Sequence, residues 1–160
     1  MTFHKALRMK DFDYRGSYLY FVTICTDNRK RLLIGLLRGV LAKRLKEMET
    51  RFSITVDTSV VMANHIHMIV WISYMETSLP RILQAFKSIT TRDFWEWGGK
   101  GRLWQKGYWE HVIRNERALE RIRAYIMNNP EQERYDIEAL YHESSRRQAC
   151  LRRQAPTLQN

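Results

Sequence analysis

Two histidines stand two positions apart in the apolar run MANHIHMIV, residues 62–70. Alternate residues of a β-strand point to the same face of a sheet, so His65 and His67 would share one face. Two neighbouring imidazoles can bind one divalent metal ion through one nitrogen each. In a purely structural role, each imidazole would instead need its own set of hydrogen-bond partners. Both interpretations stay open on these residues alone.

A metal ion held by this pair would need a further ligand from elsewhere in the fold, because the strand contains no carboxylate. Two histidines and one oxygen donor would leave room for a phosphate oxygen, an arrangement that suits Mg²⁺ or Mn²⁺. The missing ligand is therefore expected on a helix.

The candidate nucleophile is a tyrosine in the segment RAYIMNNP. Tyr125 and Asn129 are four residues apart in a predicted helix, so they lie on the same helical face. A phenol with a pKa of about 10 is a poor nucleophile at neutral pH, but a metal ion that polarises the phosphate would lower the barrier to its attack. Tyr125 also fits an amphipathic position at the edge of the core, so its chemistry depends on whether the fold brings it to the histidines.

Hydrophobic periodicity predicts the elements that must position these residues. The order β-α-β-β-α-β-α favours an α+β ferredoxin-like sandwich, with one antiparallel sheet and helices on one face. In chain order we predict a strand over 17–26, a helix over 36–50, strands over 52–61 and 65–72, a helix after Ser78, a strand within 103–115 and a helix over 116–129.

Composition favours an anionic partner. The 160 residues include 27 Lys+Arg against 17 Asp+Glu, a formal net charge of +10, which points to nucleic acid before acidic membrane. We predict one domain over residues 1–135 and a polar, basic tail over 136–160. Two distant cysteines, with neither a signal peptide nor a membrane span in the sequence, lead us to expect a cytoplasmic protein.

Basic and aromatic residues alternate in segments that suit nucleic acid. Single strands and hairpins are bound by basic grooves and by aromatic side chains that stack on bases. Trp104 and Trp109 fit the core as well as they fit such a surface, and we interpret His111 as structural. The predicted DNA-binding residues are Arg29, Lys30, Arg31, Lys87, Arg92, Lys100, Arg102, Lys106 and Tyr108.

Two ordered segments, MANHIHMIVW and LWQKGYWEHVIRNERALERIRAYIMNNP, resemble the single-tyrosine HUH transposases, and most closely the REP-associated tyrosine transposases. The resemblance spans residues 14–135 and departs from the usual pattern at Ala63, where proline is common. It implies a ferredoxin-like fold and metal-dependent cleavage of single-stranded DNA at hairpins. The tyrosine of such enzymes attacks phosphorus and keeps the 5′-phosphate as a covalent phosphotyrosine, while the released 3′-OH can rejoin another end.

Carried over by position, the resemblance implies that His65 and His67 are metal ligands and that Tyr125 is the nucleophile. Asn129 falls where the family has its third, polar ligand. Relatives act as monomers or as dimers that share sites, so either state is compatible with the sequence. Two alternatives remain: a non-catalytic ferredoxin-like module that binds nucleic acid on an exposed sheet face, and a metal-dependent hydrolase that uses water, for which Tyr125 would be dispensable.

Overall fold

The computed structural model describes residues 18–73 and 77–128. Within these residues a single sheet is flanked by helices, and a short 3-10 turn over Asp27–Arg29 follows the first strand. The predicted tail over 136–160 lies outside the described residues. The elements are β1 (Tyr18–Cys25), α1 (Gly35–Phe52), β2 (Thr55–Val61), β3 (His65–Ile72), α2 (Leu79–Glu96), β4 (Trp109–Ile113) and α3 (Glu116–Asn128).

The sheet has the order β2-β3-β1-β4, and every neighbouring pair of strands is antiparallel. The two strands of the first β-α-β half, β1 and β2, have β3 between them, and the two strands of the second half, β3 and β4, have β1 between them. This interleaved order is the ferredoxin-like arrangement. The predicted α+β class and topology are therefore confirmed. The central strands β1 and β3 are buried along most of their length.

One face of the sheet packs against α1 and α2. Because side chains alternate along a strand, Tyr20, Val22 and Ile24 of β1 point to this face and join the main hydrophobic core. The two helices are linked by an ion pair in which both Nε and Nη2 of Arg44 donate to Asp93, at 2.8 and 2.7 Å. The prediction of helices on one face holds for these two helices.

The third helix lies on the opposite face. Leu119, Ile122 and Ile126 of α3 are buried, and the helix contacts β2 and β3. Phe21 of β1 points to this second face, because its neighbours Tyr20 and Val22 point to the main core. Its side chain is completely buried and has an edge contact with Tyr125 of α3. The second face of the sheet is thus covered by the helix that carries the candidate nucleophile.

The fourth strand lies within the segment 103–115 in which the sequence pattern predicts it. β4 occupies only Trp109–Ile113, and an isolated bridge joins Trp104 to Thr26. Gly107 has a φ of 87°, a left-handed conformation that breaks the extended chain. No helix in the described part of the chain is long and apolar enough to cross a membrane.

Candidate active site

Both histidines lie on the sheet face that α3 covers. His65 pairs with Cys25 across the β1–β3 ladder, and His67 pairs with Thr23. The centroids of the two imidazole rings are 4.5 Å apart, and their planes meet at 68°. The i, i+2 spacing therefore places the two rings side by side, close enough for one ion to contact both.

Each imidazole is oriented by a hydrogen bond at Nδ1. Nδ1 of His65 lies 2.6 Å from Oδ1 of Asn64, which accepts hydrogen bonds, so this nitrogen carries the proton. Nδ1 of His67 lies 2.8 Å from the hydroxyl oxygen of Thr23 in a buried contact. With the same tautomer at His67, both Nε2 atoms offer a lone pair, which is the arrangement found in metal-binding histidines whose other ring nitrogen donates a hydrogen bond to a neighbouring group.

His67 is held in its neutral form. It is 1% exposed, and burial, with the nearby charges of His65 and Arg29 adding to the effect, lowers its pKa to about 3. A histidine must be neutral at the coordinating nitrogen to bind a metal ion. The environment of His67 therefore suits a ligand better than a titrating base.

Tyr125 reaches the histidine pair from α3. Its phenolic oxygen lies 3.5 Å from Nε2 of His67, and the two rings have centroids 5.4 Å apart. Phe21 of β1 packs against the Tyr125 ring in an edge-on contact, with ring centroids 6.3 Å apart. Residues that are 58 positions apart in the sequence are thus brought to one site.

An ion pair fixes the position of the helix that carries Tyr125. Nε of Arg123 donates to Oδ2 of Asp57 at 2.8 Å, and Nη2 of Arg123 donates to the other carboxylate oxygen. This bidentate contact joins α3 to β2 two residues before the tyrosine. The Arg123 guanidinium lowers the pKa of Asp57, so the carboxylate stays charged at neutral pH.

The predicted third ligand, Asn129, lies just outside the described residues. Among residues 18–73 and 77–128, no cluster of three or more His, Cys, Asp or Glu side chains could hold a metal ion. His111 lies on the same sheet face, opposite Phe21 in the β1–β4 ladder. Its ring stacks on Trp109 at 6.4 Å, and burial lowers its pKa; the structural interpretation of His111 stays a prediction.

Most of the predicted DNA-binding residues after α1 line one groove. This groove has a volume of about 1270 Å³ and lies between α2 and the segment that leads to β4. Trp95 is 53% exposed at its wall, whereas Trp104 is buried against Phe86 and belongs to the core. Lys100 is exposed and does not line the groove. The predicted residues that do line it are Lys87, Arg92, Arg102, Lys106 and Tyr108.

Lys87 has a partly structural role in this groove. Its ammonium donates to the carbonyl of Gln105 at 2.9 Å and also to the carbonyl of Gly107. Burial lowers its pKa to about 8. Lys87 therefore holds the segment before β4 in place, and its positive charge lies at the groove.

The remaining predicted residues, Arg29, Lys30 and Arg31, are exposed in the loop that follows β1. This loop borders the groove, because Asp27 N donates to the carbonyl of Leu103 at 2.8 Å. The carboxylate of Asp27 also lies 3.9 Å from the Arg102 guanidinium. The basic loop and the basic groove are thus adjacent.

Sequence reasoning missed Thr23 and Asn64, which orient the two imidazoles. Asn64 directly precedes His65, and a polar side chain next to a histidine was a usable signal. Thr23 is a polar residue inside the apolar run YFVTIC, but its role depends on the register between β1 and β3. No local pattern specifies that register.

The fold and the site together define a class of protein: a ferredoxin-like sandwich with two histidines on one sheet face and a helix-borne tyrosine above them. Residues 15–129 match the family described as transposase IS200 like, and the chain belongs to this family. Membership supports a DNA-processing enzyme, a transposase. The family resemblance that the two sequence motifs indicated is thereby confirmed.

Solved structures and one further protein are similar to this chain in fold or in sequence. A REP-associated tyrosine transposase, solved in complex with a REP hairpin, is 21% identical, with a TM-score of 0.66 over 79% of this chain and 74% of that chain. A crystal structure from Deinococcus radiodurans is 19% identical, with a TM-score of 0.55 over 76% of this chain and 96% of the other. At these identities the likeness shows a shared fold. An uncharacterized protein of Haemophilus influenzae is 29% identical over 79% of this chain and 87% of its own length.

Proposed function

We propose that this protein is a metal-dependent transposase that cleaves and rejoins single-stranded DNA at hairpin ends through a covalent 5′-phosphotyrosine at Tyr125. The observation that carries the proposal is the 3.5 Å distance between the Tyr125 oxygen and Nε2 of His67. A phenol that only filled the core would not need to lie beside a pair of oriented imidazoles. The arrangement suits a nucleophile next to a bound phosphate.

The donor atoms of the site fit a divalent ion. His65 and His67 would hold Mg²⁺ or Mn²⁺ through Nε2, because the Nδ1 atoms already bond to Asn64 and Thr23. Asn129 is proposed as the third ligand on the strength of the family resemblance. When bound, such an ion withdraws charge from the scissile phosphate and makes phosphorus more electrophilic.

The proposed reaction exchanges one phosphodiester for another. The phenolic oxygen of Tyr125 loses its proton to solvent and attacks phosphorus, forming a P–O bond to the tyrosine. The bond between phosphorus and the 3′-oxygen breaks, and the leaving oxygen takes the electron pair and then a proton. Because the ester bond is kept in the adduct, a 3′-OH can later attack it and rejoin the DNA without ATP.

The basic groove is proposed to bind the DNA hairpin. Arg92, Arg102 and Lys106 supply positive charge along its lining, and Tyr108 supplies an aromatic ring for stacking. The related fold that was solved with a REP hairpin supports a hairpin as the substrate class. The basic loop with Arg29, Lys30 and Arg31 extends this surface toward the histidines.

The direct test uses single-stranded hairpin DNA labelled on the 5′ side or on the 3′ side of the cleavage position, incubated with Mn²⁺. We expect a covalent protein–DNA band that carries only the 3′-side label, and we expect its loss in Tyr125→Phe and with EDTA. Cleavage that survives in Tyr125→Phe would instead identify a hydrolase that uses water. Tight binding with neither cleavage nor adduct, across hairpins of varied sequence, would identify a non-catalytic binding module.

A further inference from the structure

The loop after β1 carries two consecutive residues in an unfavourable backbone conformation. Asn28 and Arg29 have φ angles of 51° and 54°. Residues with a side chain rarely adopt this left-handed region, and such conformations persist only where the surrounding structure holds them. Strained backbone of this kind is concentrated at functional sites. Arg29 is therefore a candidate functional residue.

Hydrogen bonds hold this loop against the segment that carries the histidines. The Thr26 hydroxyl lies 2.7 Å from the carbonyl of Lys30 and 3.0 Å from the carbonyl of Asn64. Leu33 N donates to the carbonyl of Ala63 at 2.8 Å. Asn64 is also the residue that orients His65. The loop is therefore fixed relative to the imidazole pair.

The side chain of Arg29 lies at the edge of the same site. Its Nη2 atom is 3.9 Å from Sγ of Cys25, and Cys25 is the direct cross-strand neighbour of His65. A cation thus lies beside the histidine pair, on a residue that is exposed to solvent.

We propose that Arg29 is a catalytic residue whose guanidinium binds the scissile phosphate, and this assignment rests on the proposed function. During attack by Tyr125, a bond forms between the phenolic oxygen and phosphorus while the bond to the 3′-oxygen breaks. Negative charge is then spread over the non-bridging oxygens. A planar guanidinium can donate two parallel hydrogen bonds to such oxygens and keeps its charge at any working pH.

Arg31 provides a matched control. It is an exposed arginine in the same basic loop, two positions further on. If Arg29 only adds positive charge for DNA binding, Arg29→Gln and Arg31→Gln should behave alike. If Arg29 contacts the reacting phosphate, Arg29→Gln should slow the chemical step far more than Arg31→Gln does.

The experiment makes two measurements on each variant. The first is the single-turnover rate of hairpin cleavage at saturating protein in the presence of Mn²⁺, and the second is hairpin affinity, measured with Tyr125→Phe added so that no cleavage occurs. We expect Arg29→Gln to lower the cleavage rate by about 10²–10³-fold, the usual cost of losing one charge-stabilising donor. Arg29→Lys should retain an intermediate rate, Arg31→Gln should lose much less rate than Arg29→Gln, and the two glutamine variants should bind the hairpin with similarly reduced affinity. Added guanidinium ion should partly restore cleavage by Arg29→Ala and should not change that of Arg31→Ala.

A normal cleavage rate in Arg29→Gln overturns the assignment and leaves the proposed function intact. Equal losses of rate in Arg29→Gln and Arg31→Gln also overturn it. Thermal melting of each variant separates a loss of folding from a loss of chemistry. An Arg29→Lys protein that melts like wild type but cleaves no better than Arg29→Gln also overturns the assignment of Arg29. A wild-type protein that forms no Tyr125 adduct refutes the proposed function, and with it this assignment.

Discussion

At the scale of single residues, the site depends on how its two imidazoles are held. Asn64 contacts Nδ1 of His65 and Thr23 contacts Nδ1 of His67. The Nε2 atom of each ring therefore points away from Asn64 or Thr23. Metal ligands that are fixed in this way need little reorganisation on binding. The buried Thr23 is the more informative partner, because its role is invisible in the sequence motif.

Thr23→Val keeps the shape of the side chain and removes the hydroxyl that contacts His67. We expect the Mn²⁺ concentration that gives half-maximal cleavage to rise by about 10–100-fold, the usual effect of losing a side chain that orients a metal-binding histidine. Hairpin affinity without metal should not change. Thr55→Val, at an exposed position of β2, is the matched control, and an equal metal response in the two variants would contradict the role of Thr23.

We expect Lys87 to make the proposed hairpin binding sensitive to pH. Its pKa is lowered to about 8 by burial, so it is charged below this pH and loses its charge as the pH rises through it. A unit charge about 4 Å from a phosphate is worth about 1 kcal/mol in water, so we expect about fivefold weaker binding at high pH.

The matched variant is Lys87→Arg, which keeps its charge over the whole range. Titrating hairpin affinity between neutral and alkaline pH should give a fall near the pKa of Lys87 in wild type and a flat profile in Lys87→Arg. The same fall in both proteins would assign the pH dependence to other groups.

At the scale of elements, the Asp57–Arg123 ion pair sets where α3 meets the sheet. A solvent-exposed ion pair contributes little to global stability, but small misplacements of a reacting group can slow chemistry by about 10²-fold. We therefore expect Asp57→Asn to lower the cleavage rate by at least about tenfold with little change in melting temperature.

Reversing the charges in the double variant Asp57→Arg/Arg123→Asp should restore part of the lost rate. Glu120→Gln, an exposed change on the same helix, should leave the rate close to that of wild type. Wild-type cleavage by Asp57→Asn would show that hydrophobic packing alone positions Tyr125.

The elements were predictable to different degrees, for physical reasons. β3 begins and ends as its apolar pattern predicts, at His65 and Ile72, because a buried central strand needs an uninterrupted apolar run. The first residue of β4 within the predicted segment 103–115 was not predictable, because the residues before it contain Gly107 and are held by hydrogen bonds from Lys87, a long-range contact that periodicity does not report. The sequence pattern also could not predict the sheet face on which α3 packs. Such a pattern shows that a helix has an apolar side, but it does not show which surface covers that side.

The same distinction holds for the site. The i, i+2 spacing of His65 and His67 follows directly from strand geometry, so their common face was predictable. The proximity of Tyr125 needed the packing of α3 on the second face, and the orienting role of Thr23 needed the strand register. The position of Asn129 stays a prediction, because this residue lies outside the described part of the chain.

At the scale of the whole molecule, the histidines and the tyrosine of one chain form the site together. The 3.5 Å contact between Tyr125 and His67 is within a single protomer, so the structure predicts catalysis without exchange of α3 between copies. Mixing His67→Ala with Tyr125→Phe tests this prediction, because each variant supplies the half that the other lacks. We expect no adduct from the mixture, whereas recovered adduct would show that the tyrosine of one copy serves the histidines of another.

The charge of the molecule suits its proposed substrate. The net charge of +10 favours binding to a polyanion, and basic residues line both the groove and the adjoining loop. Charge alone would serve any nucleic-acid-binding protein. The covalent step at one residue is what separates the proposed transposase from a passive binder and from a hydrolase.

The central claim is that the DNA becomes linked to Tyr125, and the most direct measurement is the mass of the modified peptide. After reaction of the wild-type protein with a hairpin and Mn²⁺, the adduct is digested with nuclease and trypsin. We predict that the peptide over residues 124–134 carries the added nucleotide phosphate, with fragment ions that place it on the tyrosine. An adduct on any other peptide, or DNA cleaved to completion while this peptide keeps its unmodified mass, would contradict the account.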